Sequence, residues 1–380
     1  MAAGLFSRSA RRINRKEVFI PGFGIKFPRS AYNNLDSAGA YSWGGIGGLK
    51  SKLDGNPNWR FVQLELSAGE IVIAPGVYDW AKLDSRIDDL RSRGVKAGLM
   101  FQQREFDVSP TTGGNDVRLL LPDHLVSVQG SWSGTGTAHT RYAGCLGIEP
   151  GQGQGSGNRG YVLQYSDTMI QDWHREWFAA VAAKYDDDPD VMFVGTSESS
   201  YGTVTIPFGH SLNPESIASM QAGRIQMVQD LKAAFKNTAV YHDLNQTKQL
   251  AEDWYLNHAQ SQHVWLSASN THWNASTNAV ASGGTPKGAL RYYQDFNGIL
   301  PKFTQWQGDD FDEINPATGA LHTMQDFHDR LTSAYIGANM CLIQYKLTAP
   351  SGRVFSDYDN FIKTLPLDGG LITVRPLYIL

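Results

Sequence analysis

Carboxylates, side-chain amides and aromatic rings gather at a few points of this chain. The clusters are Gln102-Gln103-Arg104-Glu105, Thr196-Ser197-Glu198-Ser199, His242-Asp243 with Asn245, Asn270-Thr271-His272-Trp273, Gln305-Trp306-Gln307 with Asp309 and Asp310, and Tyr345-Lys346. Sugar hydroxyls ask for planar amides and carboxylates, and sugar ring faces ask for an aromatic plane to stack on. A carboxylic acid with a second carboxylate near it can also protonate a glycosidic oxygen and attack, or activate water against, the anomeric carbon. Each residue has a plainer role open to it as well. A Glu closing a buried strand is often half of a salt bridge, Arg104 and Glu105 can pair with each other, Trp306 can be barrel packing, and Asp309-Asp310 fits a solvated turn.

The elements that position these clusters alternate short apolar runs with longer helical patterns, the rhythm of β/α units and a parallel sheet. The apolar runs are Val18–Lys26, Arg60–Leu66, Val95–Phe101, Val191–Gly195, Ala239–Leu244, Val264–Ala268, Lys302–Trp306 and Met340–Tyr345. A Gly-rich loop around Tyr41–Gly48 and a short helix ending before Asn56-Pro57 separate the first two. Helices are expected over Asp79–Arg93, where Trp80, Leu83, Ile87 and Leu90 recur at helical steps, and over Thr168–Tyr185, with Ile170, Trp173, Trp177 and Val181 on one face. Pro214–Lys236, Gln249–Ala259, Pro286–Phe296 and Thr323–Ile336 complete the set. Eight units within 380 residues predict an α/β fold, a (β/α)8 TIM barrel, with residues 17–380 as one domain. Residues 107–165, rich in Gly, Ser and Thr and without sustained periodicity, are expected as a long loop inserted between the third strand and its helix, acting as a lid. In such a barrel the site lies at the C-terminal ends of the strands, which is where the clusters fall.

Composition narrows the partners. With 33 basic against 37 acidic residues and a formal charge of −4, the chain has no electrostatic footprint for nucleic acid. Cys145 and Cys341 are too few for a disulfide framework or a metal knuckle. The acidic run Asp186–Asp190 matches no metal-ligand spacing and reads as a solvated turn, and no nucleotide-binding glycine motif opens any unit, so neither metal nor organic cofactor is expected. Residues 1–16 form a basic tail carrying Arg8, Arg11, Arg12, Arg15 and Lys16 but lack the apolar run of a signal peptide, and no transmembrane stretch follows. A location in the cytoplasm, or export or assembly without a classical signal, is therefore expected.

Several segments resemble a known family. Leu66-Ser67-Ala68-Gly69-Glu70, followed by Pro75-Gly76-Val77-Tyr78-Asp79-Trp80-Ala81-Lys82-Leu83-Asp84, is similar to the second β/α unit of clan A glycoside hydrolases, closest to β-galactosidase-like and β-xylosidase-like members. Pro189-Asp190-Val191 with Gly195-Thr196-Ser197-Glu198 resembles the clan's fourth strand, Asn270-Thr271-His272-Trp273 its sixth and Pro301–Gln307 its seventh. The resemblance implies a glycosidase of oligo- or polysaccharides, retaining in mechanism, with Glu198 as general acid/base. It places Gln305 where the clan has its nucleophilic Glu, and Ser197 where it has the Asn that contacts the sugar 2-hydroxyl. Arg104, Glu105, Ser197, Asn245, His272, Trp273, Trp306, Asp309 and Tyr345 are then the expected substrate contacts. Since an amide cannot attack an anomeric carbon, three readings stay open. Gln305 replaces a native glutamate; or the nucleophile or base lies at Asp309 or Asp310, with a carboxylate separation nearer ~6.5–9.5 Å than ~5–5.5 Å and inversion as the outcome; or the barrel binds carbohydrate without cutting it, in a surface or phage-tail assembly.

Overall fold

Every one of the eight apolar runs becomes a strand, because each supplies at least three β-branched, aromatic or aliphatic residues to a parallel sheet that is covered on both sides. A computed structural model of the chain describes residues 19–27, 44–108, 117, 120–134, 137–148, 159–197, 199, 204–206, 210–211, 214–244, 248–268, 288–306, 312–315, 318–345 and 351–380. The barrel strands are β1 (Gly22–Phe27), β2 (Trp59–Leu66), β3 (Lys96–Phe101), β4 (Val191–Thr196), β5 (Ala239–Asp243), β6 (Trp265–Ala268), β7 (Lys302–Trp306) and β8 (Met340–Gln344). They close in sequence order, and β1 joins β8 in parallel register from Gly22 opposite Met340 to Lys26 opposite Gln344. Helices Ala81–Ser92, Thr168–Tyr185, Pro214–Ala234, Lys248–Asn257 and Met324–Thr332 stand between strands as expected, within a few residues at each end.

Three segments differ from the sequence reading, each for a physical reason. The glycines after Tyr41 do not stay in a loop: a helix runs over Gly44–Gly55, secured by burial of Leu49 and Leu53, and tertiary packing overrides the poor helical propensity of glycine. The segment before Pro301 is a 3-10 helix, Gly288–Phe296, whose Leu290, Tyr293 and Phe296 recur at three-residue steps and are all buried. The insertion after β3 is not a structureless loop. Arg104–Val108, Cys145–Ile148 and Arg159–Leu163 join Val204–Ile206 and His210–Ser211 in a five-stranded antiparallel sheet, beside a hairpin of Val128–Gly134 and Thr137–Tyr142. These strands are two to seven residues long; some are largely polar, as in Thr137-Ala138-His139-Thr140-Arg141-Tyr142, and others are brief apolar pieces such as Val204–Ile206, so they carry little of the alternation by which a strand is recognised.

Inside the barrel, chemistry changes along the axis. Phe61, Phe193, Tyr241, Trp265, Phe303 and Met340 fill the lower interior, with Phe193 and Phe303 ring centres 5.1 Å apart and Tyr241 stacked on Phe303 at 5.6 Å. Gly195 leaves the space that the Tyr241 ring occupies; an added Cβ would overlap it. Two residues further along their strands, the alternation places Gln63, Asp243, Ser267 and Gln305 above this apolar plug, all buried. Polar groups thus occupy the C-terminal end of the barrel core.

The opposite end is built for stability. Asp186 accepts backbone N–H bonds from Lys236, Asn237 and Thr238 at 2.9–3.0 Å, while Asp188 and Asp190 bind Arg91, and Asp190 also pairs with Lys96 at 2.8 Å. The acidic run is a hinge of capping and ion-pairing carboxylates. Lys302, at the start of β7, is almost wholly buried and donates to Asn297, and burial lowers its pKa to about 8. Between pH 8 and the ordinary value of 10.5 the unfolded chain keeps a proton that the folded chain has released, so stability rises with pH through this window and the cost is full below it. Lys302→Met is expected to stabilise the protein at pH 7 by up to about 3 kcal/mol, and the gain should shrink towards pH 10 in thermal melts. An equal gain at both values would show that desolvation of the ammonium is not its source.

Candidate active site

Gln305 sits at the centre of the buried polar layer. Its Oε1 accepts from Lys26 Nζ of β1 at 2.8 Å, and its Nε2 donates to Asp243 Oδ2 of β5 at 2.6 Å and to Ser267 Oγ of β6 at 3.4 Å. A neutral amide therefore bridges an ammonium and a carboxylate, a place that uses both of its ends. Beside it, Gln63 Nε2 donates to Tyr241 Oη at 2.7 Å.

A second network organises the end of β4. The Ser197 N–H and Oγ–H both donate to Gln103 Oε1, at 3.1 and 3.2 Å, and the Gln103 N–H donates to Ser197 Oγ at 3.3 Å. At Ser197, where a sugar contact was expected, the hydroxyl is tied to Gln103 just beyond β3, and the residue is buried. Arg224, from helix Pro214–Ala234, lies fully buried across β4 and β5. It donates to Thr196 Oγ1, the Ser197 carbonyl, His242 Nε2 and Tyr165 Oη.

The other expected site residues divide as follows. Trp306 alternates with Gln305 and faces outward, packed on Phe327 at 5.1 Å and Tyr358 at 6.0 Å in the helical layer, so it is packing and not a sugar platform. Tyr345 is also buried, edge-on to Phe355 at 5.3 Å, and burial raises its pKa. Arg104 is buried at the start of the antiparallel sheet, in register with Val162, and Glu105 follows it opposite Tyr161. Glu198, Asn245, His272, Trp273, Asp309 and Asp310 lie outside the described residues.

Sequence reading did not single out Arg224, Gln63 or Tyr165, nor Lys26 as a partner of Gln305. For Arg224 a signal was present: it interrupts the apolar stripe of Met220, Met227, Val228 and Leu231, where an arginine has to be buried. His242 accepts from Arg224 through Nε2 and is therefore neutral, and burial followed by the Arg224 charge holds its pKa well below the usual range. His174 is neutral as well, stacked on Phe178 at 5.2 Å, with a pKa lowered to about 3 by burial and then by Arg224 and Arg175. Below pH 6.5 the unfolded chain takes up a proton that folded His174 refuses, so stability falls with pH down to about 3, by at most roughly 1.4 kcal/mol per pH unit. His174→Phe, which keeps the stack, is expected to gain more in urea midpoint at pH 4 than at pH 7. No difference between the two would remove His174 from the acid response.

No protein-family model matches the sequence, and no curated protein matches it. Solved structures match by shape. A β-galactosidase from Bacillus circulans sp. alkalophilus superposes with a TM-score of 0.52 over 91% of this chain and 56% of its own, at 10% identity. A β-galactosidase from Rahnella sp. R3 gives 0.51 over 96% and 57%, at 9% identity. Endo-glycoceramidase II from Rhodococcus sp., solved with a five-membered iminocyclitol, gives 0.50 over 90% and 78%, at 12% identity. This chain spans little more than half the length of those β-galactosidases. What it shares with these clan A glycoside hydrolases is their fold, the (β/α)8 barrel.

Proposed function

We propose that this chain is a glycoside hydrolase of oligo- or polysaccharides, with Glu198 donating the proton to the glycosidic oxygen. The observation that carries the reading is the polarity of the barrel core: apolar throughout its lower interior, it ends in a buried layer of amide, carboxylate and hydroxyl groups under the C-terminal mouth. Glu198 follows directly on the end of β4, whose last residues are tied to Gln103 and Arg224. The antiparallel sheet grows from the C-terminal ends of β3 and β4 and serves as one wall of the cleft. Because both ends of the Gln305 amide are engaged, its role is to orient Asp243 and Lys26, and the second carboxylate is Asp309 or Asp310, a few residues beyond β7. A separation of that carboxylate from Glu198 nearer ~6.5–9.5 Å than ~5–5.5 Å would make it the base that activates water, with inversion of the anomeric centre as the outcome. Asn245, His272, Trp273, Arg104 and Glu105 complete the reading as sugar contacts around the mouth. The neutral amide at position 305 favours a second reading, a barrel that binds carbohydrate without cutting it. Both are tested on a glycan panel that includes β-galactosides, by reducing-end release, by proton NMR of the first product anomer and by affinity electrophoresis. Hydrolysis with inversion supports the first reading, retardation without hydrolysis the second, and neither effect on any glycan defeats both.

A further inference from the structure

Arg224 makes five hydrogen bonds around the ends of β4 and β5, and neither reading gives it a contact with substrate. It reaches in from helix Pro214–Ala234, is fully buried, and has no carboxylate ion-pair partner among the described residues. Its Nη2 donates to Thr196 Oγ1 at 2.9 Å, to the Ser197 carbonyl and to the Asp243 carbonyl at 3.4 Å. Nη1 donates to Tyr165 Oη at 2.9 Å, Nε to His242 Nε2 at 3.2 Å, and the guanidinium lies 5.2 Å from the centre of the Tyr165 ring. Each acceptor is neutral, so a buried full charge is solvated by oxygens and one ring nitrogen. That is an expensive arrangement, and helix packing alone does not require it. Thr196 Oγ1 also accepts the Asp243 N–H at 3.3 Å, which locks the ends of β4 and β5 to each other.

The backbone has been shaped to let this happen. Gly223 precedes Arg224, and a Cβ there would run into the carbonyl of Tyr165 and the N–H of Ser166. Only glycine lets the helix come close enough for the guanidinium to span the two strand ends.

We infer that Arg224 is a positioning residue for Glu198. The Ser197 carbonyl and the Glu198 nitrogen belong to one planar peptide unit, so a donor that fixes the carbonyl fixes the plane from which the Glu198 side chain departs. A guanidinium can do this because its fork reaches several acceptors in one plane at once; an ammonium at the same place reaches fewer and without fixed angles. The inference rests on the proposed role of Glu198, and its test separates the two.

The experiment compares wild type with Arg224→Lys, which keeps the charge and loses the fork, and with Gly223→Ala, which displaces the helix and keeps Arg224. For each, kcat and KM are measured on the glycan hydrolysed by the wild type, and amide hydrogen exchange is followed by mass spectrometry over 191–199 and, as a control, over 302–306. Expected is a fall of about a hundredfold in kcat with KM changed by less than about threefold. Exchange over 191–199 should rise about tenfold or more, with the control segment unchanged. Wild-type exchange over 191–199 in both variants, or a kcat that tracks only the folded fraction, overturns the inference. If the wild type cuts no glycan, the glycosidase reading falls by itself, and the exchange comparison still decides whether Arg224 fixes the peptide at Glu198.

Discussion

Glu198→Gln is expected to lower turnover of a natural glycan by about a thousandfold, within the range that a positioned general acid contributes. The substitution exchanges one carboxyl oxygen for an amide nitrogen and leaves the size of the side chain almost unchanged, so the loss would come from the missing acidic proton and not from packing. The β4 end around it is held through Ser197 backbone and hydroxyl bonds to Gln103 and through Arg224, none of which the substitution touches. The same variant should lose far less on an aryl glycoside whose leaving group departs without protonation, because the acid is then not needed in the transition state. The measurement is therefore a ratio of two losses. Equal losses on both substrates, together with a lowered Tm, would make Glu198 structural.

For Gln305→Glu the expectation is a less stable protein with no new hydrolysis. The amide now gives Asp243 an N–H at 2.6 Å and receives one from Lys26 at 2.8 Å. A carboxylate in its place keeps the Lys26 bond but brings an oxygen against the Asp243 carboxylate, where two like charges cannot both persist and one proton is shared. A carboxyl forced to hold its proton in the folded state has a folded pKa above its unfolded value. Its stability cost is absent below the ordinary carboxyl range and grows as pH rises through the raised value. Urea unfolding should show near-wild-type stability around pH 4 and a deficit of about 2 to 4 kcal/mol at pH 8. Robust hydrolysis with retention by this variant would overturn the placement of the second carboxylate at Asp309 or Asp310, and would mark Gln305 as a blunted nucleophile.

The barrel was legible from the chain because its strands and helices are each defined locally. A run such as Lys302–Trp306 and a helix stripe such as Ile170, Trp173, Trp177 and Val181 announce themselves through near neighbours in sequence. Even the end of the barrel that carries polar groups could be read, since Gln305 and Asp243 each fall near the C-terminal end of an apolar run. The insertion escaped because pairing between Cys145–Ile148 and Val204–Ile206 joins strands about sixty residues apart, and pieces of four and three residues are too short for a period to show. The same holds for the resemblance to glycosidases, which located Gln305 and Ser197 by position but left what each side chain touches undetermined.

By itself the sequence determined the eight-fold alternation, the placement of candidate residues at strand ends and the vacancy left by an amide where a carboxylate was expected. Only the tertiary structure decided that Trp306 turns outward to Phe327, that Ser197 is spent on Gln103, and that Gln305 bridges Lys26 to Asp243. Closure of the barrel brings β1 next to β8 and turns side chains of β1, β5, β6 and β7 into one layer, so Lys26 and Gln305, 279 residues apart, meet. Whether a polar side chain is free for a ligand or consumed by a neighbour depends on such long-range contacts, which no local pattern encodes.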